Sequence, residues 1–129
     1  PTPTIAADNQ LTLQGVKLGR MLFYEKMLSG DGTQACASCH LLEFAFTDTA
    51  KFSIGIRGNK GGRQAMTIFN MSWHGNVFFW DGRAHLLRDQ SLMPIQDELD
   101  MDETLENVVA KLSESQTYKD QFTRAFGSD

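Results

Sequence analysis

Cysteine is scarce in this chain: two residues in 129, at positions 36 and 39. A structural zinc site would need a second ligand pair. The two histidines away from the cysteines, His74 and His85, stand eleven apart, against the roughly four to six of a zinc-binding pair. No apolar run reaches the roughly 18 residues of a membrane-spanning helix. Basic residues are outnumbered, 12 Lys+Arg against 16 Asp+Glu, for a formal net charge of −4 and a pI near 5.3. That balance argues against a general nucleic-acid binder, whose footprint is a basic face. Strand signals are nearly absent, and no internal repeat is visible. At 129 residues the chain reads as one domain, 1–129, large enough to bury most of its unfolded surface.

What is present is Cys36-Ala37-Ser38-Cys39-His40. Two thiols three apart followed at once by an imidazole is the attachment pattern of a c-type haem. The cysteines would form thioethers with the haem vinyl groups, and His40 would lie beneath the iron as proximal ligand. A thioredoxin-like dithiol shares Cys-x-x-Cys but follows a strand in a βαβ setting, and no strand run precedes Ala35. One motif without repeats implies one covalently bound haem c. Haem attachment to thiols belongs to export compartments such as the bacterial periplasm. The chain opens Pro1-Thr2-Pro3-Thr4 with no basic and apolar leader, so a signal peptide is expected to have been removed or left out.

The elements read as helices. From an N-cap at Thr12, the residues Leu13, Val16, Leu18, Leu22 and Phe23 recur at helical spacing. Gly15 and Gly19 fall four apart on that segment, a costly choice unless another helix crosses closely. Leu105, Val108, Val109 and Leu112 form a late amphipathic face, and Tyr118, Phe122 and Phe126 an aromatic stripe expected in the core. Ser29-Gly30-Asp31-Gly32-Thr33 reads as a turn, and Gly55, Gly58, Gly61 and Gly62 punctuate a loop carrying Arg57, Lys60 and Arg63. A phosphate-cradling loop needs a strand before it and Gly-Lys-Ser/Thr after it, so these cations serve haem propionates, an acidic partner or plain solvent. Gln64–Phe69 and Ala84–Met93 read as two more short helices. The fold is expected to be all-α and cytochrome c-like, with crossing terminal helices and long haem-wrapping loops.

Four segments together resemble the N-terminal, peroxidatic haem domain of the bacterial dihaem cytochrome c peroxidase and MauG family. They are Leu18-Gly19-Arg20-Met21-Leu22-Phe23-Tyr24; Leu28-Ser29-Gly30-Asp31-Gly32 running into the haem motif; Arg63-Gln64-Ala65-Met66-Thr67-Ile68-Phe69-Asn70; and Phe79-Trp80-Asp81-Gly82-Arg83-Ala84, followed by Gln90 and Pro94-Ile95. The resemblance covers nearly the whole chain in order. It implies a second haem domain downstream, whose motif does not occur in these 129 residues. The end at Phe126-Gly127-Ser128-Asp129 is where a linker to it would begin, which favours a fragment over a truncated relative.

The resemblance also implies roles. Hydrogen peroxide reacts at this haem, which receives electrons from the second haem domain and, before that, from a small redox donor protein. Gln90 and Asp100 stand where the family has a distal glutamine and glutamate, the acid here being one methylene shorter. Asp100-x-x-Glu103 before an amphipathic run is equally a helix-capping signature. Trp80 matches a tryptophan between the two haems, and Asn70 a residue that helps hold calcium at the domain interface. One amide is an incomplete calcium site, so calcium is expected to be weak or absent. Asp81 and Arg83 either pair in their turn or serve a propionate.

The loop Phe52-Ser53-Ile54-Gly55-Ile56 lacks the histidine that caps the resting iron in classical members, which resembles the MauG-like branch. His74, His85, Met66, Met71, Met93 and Met101 are candidate sixth ligands. The leading expectation is an oxidoreductase domain of a periplasmic peroxidase or MauG-like enzyme, poorly active as an isolated chain. The alternatives are a monohaem electron carrier with a strong sixth ligand, and an interaction module using the aromatic Trp73–Trp80 stretch.

Overall fold

Thr12 caps the first helix, its hydroxyl accepting the Gly15 N–H at 2.9 Å, and α1 runs Leu13–Phe23. In this computed structural model residues 2, 3 and 5–128 are described. Pro1, Thr4 and Asp129, on which the expectations about a leader and a linker partly fall, lie outside them. Single 3-10 turns follow at Lys26–Leu28, Cys36–Ser38, Leu42–Phe44 and Met71–Trp73. Three further helices complete the chain: α2 Leu87–Gln96, α3 Leu105–Glu114 and α4 Gln116–Phe126. Among the described residues, β-structure is confined to isolated bridges: Leu41 with Thr47, Ile54 with Lys60, and Phe78 with Ala84. The fold is all-α, as the periodicity implied.

The terminal helices meet as expected, α1 packing on α4 and α4 on α3. Tyr118, buried on α4, fastens the far end of that contact by donating its hydroxyl to Glu25 Oε2 at 2.6 Å. Burial first, then the carboxylate, raises the Tyr118 pKa. The glycine expectation fails, however. A Cβ on Gly19 would meet nothing within 4 Å, and one on Gly15 only the Thr12 hydroxyl, so neither marks a close crossing.

The buried side of α1 also differs from the simple apolar count. Leu18 is buried and Leu22 packs on the core, whereas Leu13 is 90% exposed and Val16 also faces outward. At 3.6 residues per turn, these two lie about 140–160° around the helix from Leu18. Of the aromatic stripe on α4, only Tyr118 is fully buried, and Phe126 is exposed.

Leu28, Ile95, Met101 and Val108 form the core, with Leu22, Leu105 and Leu112 packed against it. Lys111 on α3 crosses to Ser29 O at 2.9 Å and pairs with the buried Glu103. That carboxyl is held below its usual range first by the Lys111 hydrogen bond.

Two expected helices change. Residues 64–68 take no regular secondary structure, because their polar groups bond elsewhere: Thr47 Oγ1 donates to Ala65 O, Thr67 Oγ1 to Ala45 O, and Trp80 Nε1 to Gln64 O at 3.1 Å. The helix expected at Ala84 starts at Leu87. Ala84 is held extended by its bridge to Phe78, whose N–H donates to Ala84 O at 2.8 Å.

Candidate cofactor site

Cys36 opens a 3-10 turn, so the chain tightens at once and the His40 N–H reaches Cys36 O at 3.0 Å. Cys36, Cys39 and His40 are thereby brought to one wall segment of a cavity of about 1050 Å³. That is just above the roughly 300–1,000 Å³ typical of ligand and cofactor sites. Phe23, Ile68, Phe78, Leu86 and Pro94 contribute to its apolar lining.

The orientation of His40 is set by backbone chemistry. Its Nδ1 lies 3.0 Å from Phe46 O. A carbonyl only accepts, so the proton sits on Nδ1 and the Nε2 lone pair is left as the ligating atom. The carbonyl is delivered by a turn in which Ala45 and Phe46, neither a glycine, both take left-handed φ values of 57° and 59°. The Leu41–Thr47 bridge and the Phe46 N–H to Leu41 O bond at 2.8 Å close that turn. Phe46 had no signal in the sequence, since its contribution is a main-chain oxygen.

Both cysteines are free thiols. Burial pushes the Cys39 thiol up to about 11, with Asp100 adding to the effect, and burial likewise raises Cys36. Neutral thiols at pH 7 are unlike a redox dithiol or a zinc site, which work as thiolates. Among the described residues no group of three or more His, Cys, Asp or Glu stands ready for a metal ion.

Gln90 and Asp100 line the same cavity as His40. The two acidic roles weighed for Asp100 separate here: the N-cap of α3 is Thr104, whose hydroxyl accepts the Asn107 N–H, so Asp100 is not the cap. Burial chiefly, and then Asp97, push its carboxyl up to about 6, while the nearby His40 acts the other way. A carboxyl poised near neutrality can both accept and return a proton.

Trp80 also lines the cavity but is 63% exposed, with its indole N–H satisfied by Gln64 O. It follows Phe79, a non-glycine at φ 65° whose ring lies 3.6 Å beneath the Arg83 guanidinium. Asp81 is paired with both Arg63 and Arg83 at 2.9 Å, so the pairing reading of Asp81 and Arg83 holds and Arg63 joins it. The Arg83 hydrogen bond is the main cause of a lowered Asp81 pKa.

Of the candidate sixth ligands, His74, Met66, Met71 and Met101 line the cavity. His74 rests against Phe78 with ring centroids 5.6 Å apart. His85 faces Asn76 O at 3.1 Å, and Met93 is exposed; neither belongs to the lining. Asn70, left-handed at φ 60°, heads the Met71–Trp73 turn and is likewise outside the lining.

Helices and long loops around a cavity onto which a Cys-x-x-Cys-His segment opens define the class, the helical c-type haem-binding domains. A family model described as di-haem cytochrome c peroxidase matches residues 13–129, and the chain belongs to that family. It is 34% identical over 122 residues to the methylamine utilization protein MauG of Methylophilus methylotrophus, covering 95% of this chain and 36% of the relative. It is 37% identical over 129 residues to the cytochrome c551 peroxidase of Nitrosomonas europaea, covering 100% of this chain and 38% of the relative. The chain thus spans less than two fifths of the length of these relatives. A solved MauG-like protein associated with microbial copper homeostasis superposes with a TM-score of 0.89 at 38% identity, covering 98% of this chain and 38% of that one.

Proposed function

We propose that this chain is the peroxide-reacting haem c domain of a dihaem peroxidase or MauG-like oxidoreductase, working in the bacterial periplasm. What carries the reading is that one cavity is lined both by the attachment residues Cys36, Cys39 and His40 and by the polar pair Gln90 and Asp100. The donor set suits one covalent haem: two neutral thiols for its vinyl groups, and an imidazole whose proton is already committed to Phe46 O.

Bound haem would supply the redox capacity with which peroxide is reduced. His40 would hold the iron through Nε2, with Phe46 O keeping the ring in one tautomer. The Asp100 carboxylate takes the proton from one peroxide oxygen and returns it to the other, which departs as water when the O–O bond breaks. The Gln90 amide donates a hydrogen bond to that departing oxygen. In total two electrons and two protons convert one hydrogen peroxide to two waters. The electrons would come from a small redox donor protein by way of a second haem domain, with the exposed Trp80 indole as a relay. A calcium ion at the interface with that domain would draw on Asn70, with its remaining oxygen ligands from elsewhere.

The ferric optical spectrum of the haem-loaded chain, followed by mixing with hydrogen peroxide, tests this reading. A high-spin spectrum that changes on mixing is expected. A low-spin spectrum indifferent to peroxide would contradict it and favour an electron carrier ligated by His74 or one of the cavity methionines.

A further inference from the structure

Asp100 sits in a turn segment, 97–104, between α2 and α3, with no regular structure of its own. Two distant loops grip that segment through its main chain. The Ile56 N–H donates to Asp100 O at 2.9 Å, and the Gly30 N–H to Met101 O at 2.8 Å. The approach is so close that only hydrogen fits. A Cβ on Gly55 would stand 2.2 Å from Leu99 O and 2.9 Å from Asp100 O, and one on Gly30 would stand 2.4 Å from Asp102 O. Neither glycine has a positive φ, so space and not backbone conformation demands glycine at both positions. Arg57, two residues past Gly55, closes the grip from outside by pairing with Asp102, a non-glycine held at φ 47°.

We infer that Gly30, Gly55 and Arg57 are positioning residues for Asp100: they clamp the 97–104 segment so that its carboxyl stands at a fixed depth in the cavity shared with His40. This rests on the role given to Asp100 above. Precise placement is where such a contact acts, since a proton relay displaced by about 1 Å can lose on the order of 100-fold in rate.

The test uses the haem-loaded full chain as parent, Gly55→Ala, Asp100→Asn and the double variant. Amide exchange at Ile56, read by mass spectrometry, is expected to accelerate in Gly55→Ala while haem content stays unchanged. The rate of reaction with hydrogen peroxide is expected to fall about tenfold or more in Gly55→Ala, and the double variant to be no slower than Asp100→Asn. Unchanged exchange at Ile56, or losses that multiply in the double variant, would overturn the inference.

Should Gly55→Ala not fold, Arg57→Gln replaces it, with faster exchange and a smaller rate loss that again vanishes on the Asp100→Asn background. A parent chain indifferent to peroxide, or an Asp100→Asn variant as fast as the parent, would bring down the role of Asp100 itself. Exchange at Ile56 would then decide separately whether the glycines hold the segment.

Discussion

The proton on His40 Nδ1 and the proton on Asp100 are held in place by opposite means. Phe46 O keeps the first by a 3.0 Å hydrogen bond, while burial retains the second up to about pH 6. The carboxylate is the form that accepts a proton, so the rate of peroxide reaction should fall about tenfold per pH unit below about 6. Stopped-flow mixing across pH 5 to 8 reads this directly. Asp100→Asn should lose about 100- to 10,000-fold in the same assay and flatten the profile.

The sign for stability runs the other way. The folded pKa lies above the unfolded value of about 3.9, so the contribution of Asp100 is complete below pH 4 and is lost as pH rises through 6. Asp100→Asn should therefore gain on the parent over that range in denaturant melts. The candidate site residues Cys36, Cys39, His40 and Asp100 are legible from their side-chain types, and the structure brings them to one cavity. Phe46 is not legible, because a carbonyl oxygen turned inward by two left-handed residues leaves no compositional mark.

Helix periodicity revealed which segments coil but not always which face turns inward. On α1, Leu18 and Leu22 point to the core while Leu13 and Val16 do not, and the sequence weights all four alike. Gly19 follows from the same geometry: it is exposed in mid-helix with open space around a would-be Cβ. Gly19→Ala should raise stability by about 0.5–1 kcal/mol in a urea melt. Tyr118→Phe, which takes the phenol donor from Glu25 Oε2 while Oε1 keeps the Met27 N–H, should cost about 1.5 kcal/mol by the same measurement. The segment 64–68 had helix-forming letters, and long-range bonds from Thr47, Thr67 and Trp80 overrode them. Such pairings join residues 16 to 22 apart, beyond the reach of local propensity. The start of α2 shifted for the same reason, through the Phe78–Ala84 bridge.

The whole molecule is organised around its cavity more than around its small apolar core. A space of about 1050 Å³ lined by Phe23, Ile68, Phe78 and their neighbours would leave the cavity-facing side of those groups without contacts in a haem-free chain. A Cys36→Ser/Cys39→Ser variant isolated without haem should therefore melt at a lower temperature than the haem-loaded chain and bind a hydrophobic dye. At this scale the sequence was most informative, since one five-residue motif and its flanking segments identified both the fold and the family. The most direct measurement is the intact mass of the denatured chain after expression in a host that matures c-type cytochromes. One haem added covalently, with its absorbance staying on the polypeptide and lost when Cys36 and Cys39 are replaced, is the expected result. A mass equal to that of the bare polypeptide would contradict it.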